Sequence, residues 1–273
     1  MTTPAQPERH VHAEHVMGTV VSFDVRDVPA MLAHDAIAAA CRDLHRVDAT
    51  FSTYREDSAI RRIDRGDLHL DDAGDDVRWI LQRCERLREE TNGWFDARAT
   101  GKLDPSALVK GWAVQRVSDQ LSRAGLHDHC VTAGGDIACR GGARPADHWR
   151  IGVQHPLTAD WVAAILELRG GAVATSGLYE RGDHIIDPVT GTTPGDILSV
   201  TVTGPDLGLA DAYATAAFAM GADGPEWTTT LSGYEAMTIL ADERVLSTPG
   251  FPLSPIQNTA PDRTAGLGPK GTA

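Results

Sequence analysis

The 273-residue chain has no apolar run approaching the roughly 18 residues of a membrane-spanning helix. Its opening stretch, MTTPAQPERHVHAEHVMG, lacks the apolar core of about 7 to 15 residues that marks a secretory leader. Both absences point to a soluble, cytoplasmic protein with no membrane anchor. Basic runs are missing as well: 25 Lys and Arg against 38 Asp and Glu leave a net charge of -13. This argues against a nucleic-acid partner and confines any phosphate site to a local cluster. The four cysteines, Cys41, Cys84, Cys130 and Cys139, form no CxxC pair, and three fall at apolar helix or strand positions, so buried free thiols are expected rather than disulfides. GxGxxG, GxxxxGK[ST] and GxSxG are all absent, which removes the commoner nucleotide-binding and hydrolase templates.

What remains is enough for a sizeable core, at 42% hydrophobic residues. Residues 1–10 and about 248–273 are rich in Pro, Gly and Thr and read as loose tails around a working domain of residues 11–247. MGTVVSFDV alternates like a half-buried strand. After Pro29, the spacing of Ile37, Cys41, Leu44 and Phe51 predicts a helix. A second helix is expected from Asp76 to Thr91, ended by NG, and a third from Pro105 or Ser106 to Gly125. Beyond that come short β-rich runs punctuated by Gly and Pro, then the alanine-rich LADAYATAAFAMG, then a strand pair in YEAMTILADERVLST. Helices followed by mostly antiparallel strands make the fold α+β.

Four constellations could carry chemistry. In KLDPSALVKGW, Lys110 lies on the first turns of a helix, where free N–H groups and a cation suit a phosphate, or is a plain surface lysine; Asp104 reads as the helix N-cap or as a ligand contact. TAGGDIACRGG offers two glycines after a strand, either a hairpin turn or a place where backbone approaches a ligand. In ERGDHIIDPVTG, His184 is a candidate general base near neutral pH. Asp211 and Thr215, four apart in LADAYATAAFAMG, project two hard oxygens from one helical face, as a Mg²⁺ site requires. The alternative is that Asp211 caps this helix and Thr215 bonds back to it.

Taken in order, MGTVVSFDV, FSTYREDSAI, GWFDA, LDPSALVKGWAV, TAGGDIACRG, WRIGVQHP, VATSGLYERGDHIIDPVTG and SVTVTGPDLGLADAYATAAFAMG resemble the ApbE family of flavin transferases over roughly residues 15–240. The resemblance implies a single domain related to the T-fold, with antiparallel sheets flanked by helices. It implies Mg²⁺-dependent transfer of FMN from FAD to a threonine of an acceptor flavoprotein, with release of AMP. FAD pyrophosphatase activity, or a module that binds FAD without reacting, are the alternatives. Carried over by motif, Met17, Tyr54, Trp94, Phe95, Asp96, Asp104, Lys110 and Ile185 would contact FAD. The Ala107 carbonyl, Asp211 and Thr215 would hold the metal, and His184 would be the base. Two departures stand out: only about six residues join FDA to LDPSALVKG, where typical members have a much longer connection, and Trp112 and Gln115 replace the Tyr and Asp of KGYAVD.

Overall fold

The computed structural model describes residues 8–177, 185–188 and 190–255. The chain opens with a hairpin of β1 (Arg9–Val16) and β2 (Thr19–Arg26). Its two turn residues, Met17 and Gly18, both have positive φ, 55° and 69°, the arrangement of a type I′ turn whose twist matches that of the strands. Helices follow: α1 (Ala30–Phe51), the short α2 (Ala59–Asp64), α3 (Asp75–Glu90) and α4 (Ser106–Arg123). Then come β3 (His129–Ala133), β4 (Asp136–Arg140), β5 (Trp149–His155), β6 (Thr158–Leu168), β7 (Gly170–Gly177) and β8 (Ile197–Gly204). The helices α5 (Leu207–Ala219) and α6 (Gly224–Thr228) precede β9 (Glu235–Leu240) and β10 (Val245–Ser247).

Among the described residues, eight strands form one antiparallel sheet in the order β1-β2-β3-β4-β7-β8-β9-β10, while β5 and β6 pair with each other. This is the α+β arrangement expected from the order of patterns. Strand alternation sends successive side chains to opposite faces, and the central strands are buried on both. Val131, Ala138, Ala172, Ala174, Val200, Val202 and Ala236 pack against the helices. Their neighbours Cys139, Val173, Met237 and Ile239 pack against Trp149, Ile151, Val153 and Leu166 of the β5–β6 hairpin. A strand covered on both sides reads as a continuous apolar run, which is the texture of GGAVATSG and LSVTVTG.

The packed chain overruns both expected boundaries. β1 begins at Arg9, inside the stretch read as a tail. Past residue 247, Thr248, Phe251 and Ser254 are buried, and Leu253 bridges Leu166 of β6. The Thr248 N–H donates to the Ala236 carbonyl at 2.9 Å and the Ser254 N–H to that of Ile165 at 2.7 Å. Pro and Gly made this stretch look loose; its backbone groups are nonetheless paired with the strands it crosses.

None of the four cysteines is in a disulfide; Cys41, Cys84 and Cys139 are buried. Burial pushes the Cys84 and Cys139 thiols up to about 12, so both stay neutral. Among the described residues, no helix is long and apolar enough to cross a membrane.

Candidate functional site

The site begins with how closely α4 and α5 cross. A Cβ at Gly111 would lie 2.5 Å from the Leu207 carbonyl oxygen and 3.0 Å from Asp211 Cβ, and one at Gly208 would lie 3.3 Å from the backbone nitrogen of Trp112. Glycine at both positions lets the two backbones touch. The alanines of α5 serve the same end on its other sides, since that helix is buried nearly all round rather than amphipathic.

The start of α5 is secured twice. Asp206 Oδ1 accepts the Leu209 N–H at 2.8 Å. Gln115 of α4, buried, accepts the Leu207 N–H at 3.1 Å and donates to Asp119 at 2.9 Å. The glutamine that departs from the family pattern is therefore a tie between the two helices. Asp206 being the cap, the capping alternative for Asp211 falls: Asp211 sits inside α5, 3% exposed. One turn on, the Thr215 hydroxyl faces Ser176 Oγ of β7 at 3.3 Å.

Ala107, Lys110, Asp211 and Thr215 line one cleft of about 400 Å³, floored by residues 175–177 at the end of β7. Ile185, Trp94, Phe95, Asp96 and Asp104 line it too, with Tyr54 at its rim. Ten of the expected contacts thus share a cavity, though not equally: Tyr54 is 90% exposed, whereas Phe95 is 2% exposed and belongs mostly to the core. Met17 stands apart, in an adjoining hollow of about 230 Å³ that shares Tyr54 and Lys110 with the cleft. His184 lies outside the described residues.

Asp104 does two things at once. Its Oδ1 accepts the Ser106 N–H at 2.9 Å and also bonds the Ser106 hydroxyl, organising the first turn of α4, while its side chain still borders the cleft. The short connection that follows Asp96 is closed rather than frayed. The Asp104 N–H reaches the Ala97 carbonyl at 2.7 Å, and Asp96 Oδ1 accepts the Arg98 N–H at 2.7 Å. Asp64 of α2 anchors it from outside, accepting the Leu103 N–H at 2.9 Å and Arg98 Nη1 at 3.1 Å. That backbone N–H, more than any other group, holds the Asp64 carboxyl below its usual value.

Lys110 is held by a residue that the sequence patterns did not single out. Asp136, first in β4 and fully buried, has its Oδ2 2.8 Å from Lys110 Nζ. Among the described residues its oxygens have no well-directed hydrogen bond, and the ammonium is its main compensation there. The signal was an acid directly after a Gly-Gly pair and inside an apolar strand, where an unpaired charge is costly. The glycines form the hairpin turn, one of the two readings of this stretch. Gly134, φ 61°, opens the two-residue turn between Ala133 and Asp136, and the pair borders a second hollow of about 590 Å³ that also reaches Lys110.

The buried Asp211 carboxylate and the Thr215 hydroxyl bordering one cleft, with Ala107 beside them, are hard oxygen donors of the kind that suit Mg²⁺, which leaves places for substrate oxygens. Beside them, Lys110 supplies positive charge, and the aromatic wall supplies a surface for a flat ring system.

The chain matches the ApbE family over residues 17–101 and 97–238, the two stretches meeting at the short connection. It is 36% identical over 129 residues to an FAD:protein FMN transferase of Vibrio cholerae, a match covering 44% of this chain and 39% of that protein. With the enzyme of the same name from Rhodobacter capsulatus it shares 33% over 159 residues, covering 54% and 30%. The matched stretches thus span less than half the length of these relatives. In fold, it superposes on the ApbE protein of Thermotoga maritima with a TM-score of 0.77 at 23% identity, over 89% of this chain and 97% of that one. The flavin transferase ApbE of Vibrio cholerae gives 0.75 at 24% identity, over 89% and 97%. With its sequence matched from residue 17 to 238 and its fold shared throughout, the chain belongs to the ApbE family.

Proposed function

We propose that this protein transfers the FMN half of FAD to a threonine hydroxyl of an acceptor flavoprotein, releasing AMP, in a Mg²⁺-dependent reaction. The observation that carries this reading is the glycine-mediated crossing of α4 and α5, which brings Ala107 and Lys110 of one helix and Asp211 and Thr215 of the other to one cleft bordered by aromatic side chains.

In this reading Trp94 and Phe95 contact the flavin-bearing end of FAD, and Met17 and Tyr54 border the neighbouring hollow. Lys110, steadied by Asp136, faces the pyrophosphate and offsets its negative charge. The Ala107 carbonyl, Asp211 and Thr215 would hold Mg²⁺, which when bound neutralises the pyrophosphate oxygens and eases departure of AMP. His184 takes the proton from the acceptor threonine as its Oγ bonds to the FMN-side phosphorus. The bond from that phosphorus to the bridging oxygen breaks in line, and AMP leaves with the oxygen.

The test is to incubate the chain with FAD and Mg²⁺, with and without a flavoprotein acceptor, and to read AMP release and acceptor mass together. The expected result is acceptor-dependent AMP and an acceptor heavier by FMN less water. Rapid AMP release without acceptor would make the protein a pyrophosphatase; stable FAD binding with no AMP would make it a carrier. His184→Ala should slow transfer by about 10²- to 10⁴-fold while FAD still binds.

A further inference from the structure

Outside the cleft, β1 and α1 meet along a seam of metal-ligand side chains. β1 reads RHVHAEHV, and its two-residue period puts His12 and Glu14 on one face. On α1, Cys41 and His45 are four residues apart and therefore also share a face. His12 Nε2 is 3.1 Å from Glu14 Oε2, and His45 Nε2 is 2.8 Å from Glu14 Oε1. One donor atom each from His12, Glu14 and Cys41 lie within 4.8 Å of one another. Ligands about 2.0–2.3 Å from a tetrahedral ion stand about 3.3–3.8 Å apart. The three atoms need to draw in by no more than about 1–1.5 Å to reach that spacing, and two of the four side chains are about half exposed, at 43% for His12 and 53% for His45.

Glu14 gathers both imidazoles and also accepts a hydrogen bond from the buried Cys41 thiol. A divalent cation at this point would displace the thiol proton and neutralise both acids. One imidazole, one thiolate and one carboxylate together favour Zn²⁺ and disfavour Mg²⁺ or Ca²⁺, which take oxygen ligands. The donor set thus differs in kind from that of the cleft.

We propose that His12, Glu14 and Cys41 bind Zn²⁺ and so clip β1, the edge strand of the sheet, to α1. His45 is a positioning residue, fixing the outer oxygen of Glu14 as partners of metal-bound carboxylates do. The clip secures a strand whose only ladder partner among the described residues is β2, and protects the sheet edge that it forms.

The experiment titrates the chelator-treated full chain with Co²⁺ and then Zn²⁺. Binding should show one equivalent of Co²⁺ with a thiolate-to-cobalt charge-transfer band, displacement by Zn²⁺, and a raised melting temperature. Cys41→Ser, nearly isosteric, should abolish the band and weaken Zn²⁺ at least about 10-fold; His45→Ala should keep the band and weaken binding by about 10- to 100-fold. No charge-transfer band in the wild-type chain, or Zn²⁺ affinity unchanged from the wild type in Cys41→Ser or in His12→Ala, would overturn the proposal. Asp211→Ala should leave the band unchanged; its loss there would put the ion in the cleft and equally overturn it.

Discussion

Replacing Gly111 by Ala adds one methyl at the point where the site is assembled. That carbon would meet the Leu207 carbonyl oxygen at 2.5 Å, against an ordinary contact of at least 3.4 Å, so α4 and α5 must part by about 1 Å. Overpacking of this kind costs about 1–3 kcal/mol, and the better helix propensity of Ala returns about 1 kcal/mol of it. With backbone on the far side of the clash, a net loss of about 2 kcal/mol is expected, read as a melting temperature lower by roughly 4–8 °C. Function should suffer more than stability. Ala107 and Lys110 ride on one helix, Asp211 and Thr215 on the other, and a misplacement of about 1 Å can cost on the order of 10²-fold in rate. The assays are thermal unfolding by circular dichroism and acceptor-dependent AMP release. A Gly111→Ala protein that melts and turns over like the wild type would refute the close crossing as the basis of the site.

Asp211→Ala should abolish AMP release while flavin binding, followed by fluorescence quenching, changes much less, because a metal-holding group acts mainly on charge that develops during reaction. Lys110→Met should cost about 3 kcal/mol in denaturant unfolding, the low end for stranding a buried carboxylate since Lys110 keeps some solvent contact; adding Asp136→Asn should recover most of it. Buried His129 donates Nδ1–H to the Leu126 carbonyl at 2.7 Å and accepts the Ser118 hydroxyl at Nε2, 2.8 Å, and burial pushes it down from 6.5 to about 4. The unfolded chain therefore binds more protons between those values, so stability is full above about pH 6.5 and falls by up to about 3 kcal/mol as the pH drops towards 4. Urea unfolding across that range should show this slope in the wild type and a flatter one in His129→Leu; parallel slopes would refute the assignment.

The long helices were legible in sequence because each carries one apolar stripe at helical period. α3, at Asp75–Glu90, lies within a residue of expectation at either end, and α4 starts at Ser106 as its Pro allows. β1 was not legible: an edge strand with polar side chains on both faces has no apolar alternation to read. Residues 248–254 were misread because Pro and Gly composition reports nothing about tertiary pairing. At the site, i,i+4 spacing correctly put Asp211 and Thr215 on one face, but only the contacts of Asp206 and Gln115 separate a capping acid from one turned to the cleft. The Lys110–Asp136 pair joins residues 26 positions apart, and no local pattern encodes a partner at that range.

The tie between the Asp104 N–H and the Ala97 carbonyl has an evolutionary corollary. It makes a neck, with the aromatic wall on one side and the start of α4 on the other; beyond it Ala99 and Thr100 still border the cleft, whereas Gly101 and Lys102 are exposed and do not. Extra chain inserted between Gly101 and Lys102 would bud outward from a fixed base, at an entropic cost that grows by only about 0.6 kcal/mol for each doubling of length. Long and short forms of this connection can therefore interchange during descent while the chamber behind the neck keeps its shape.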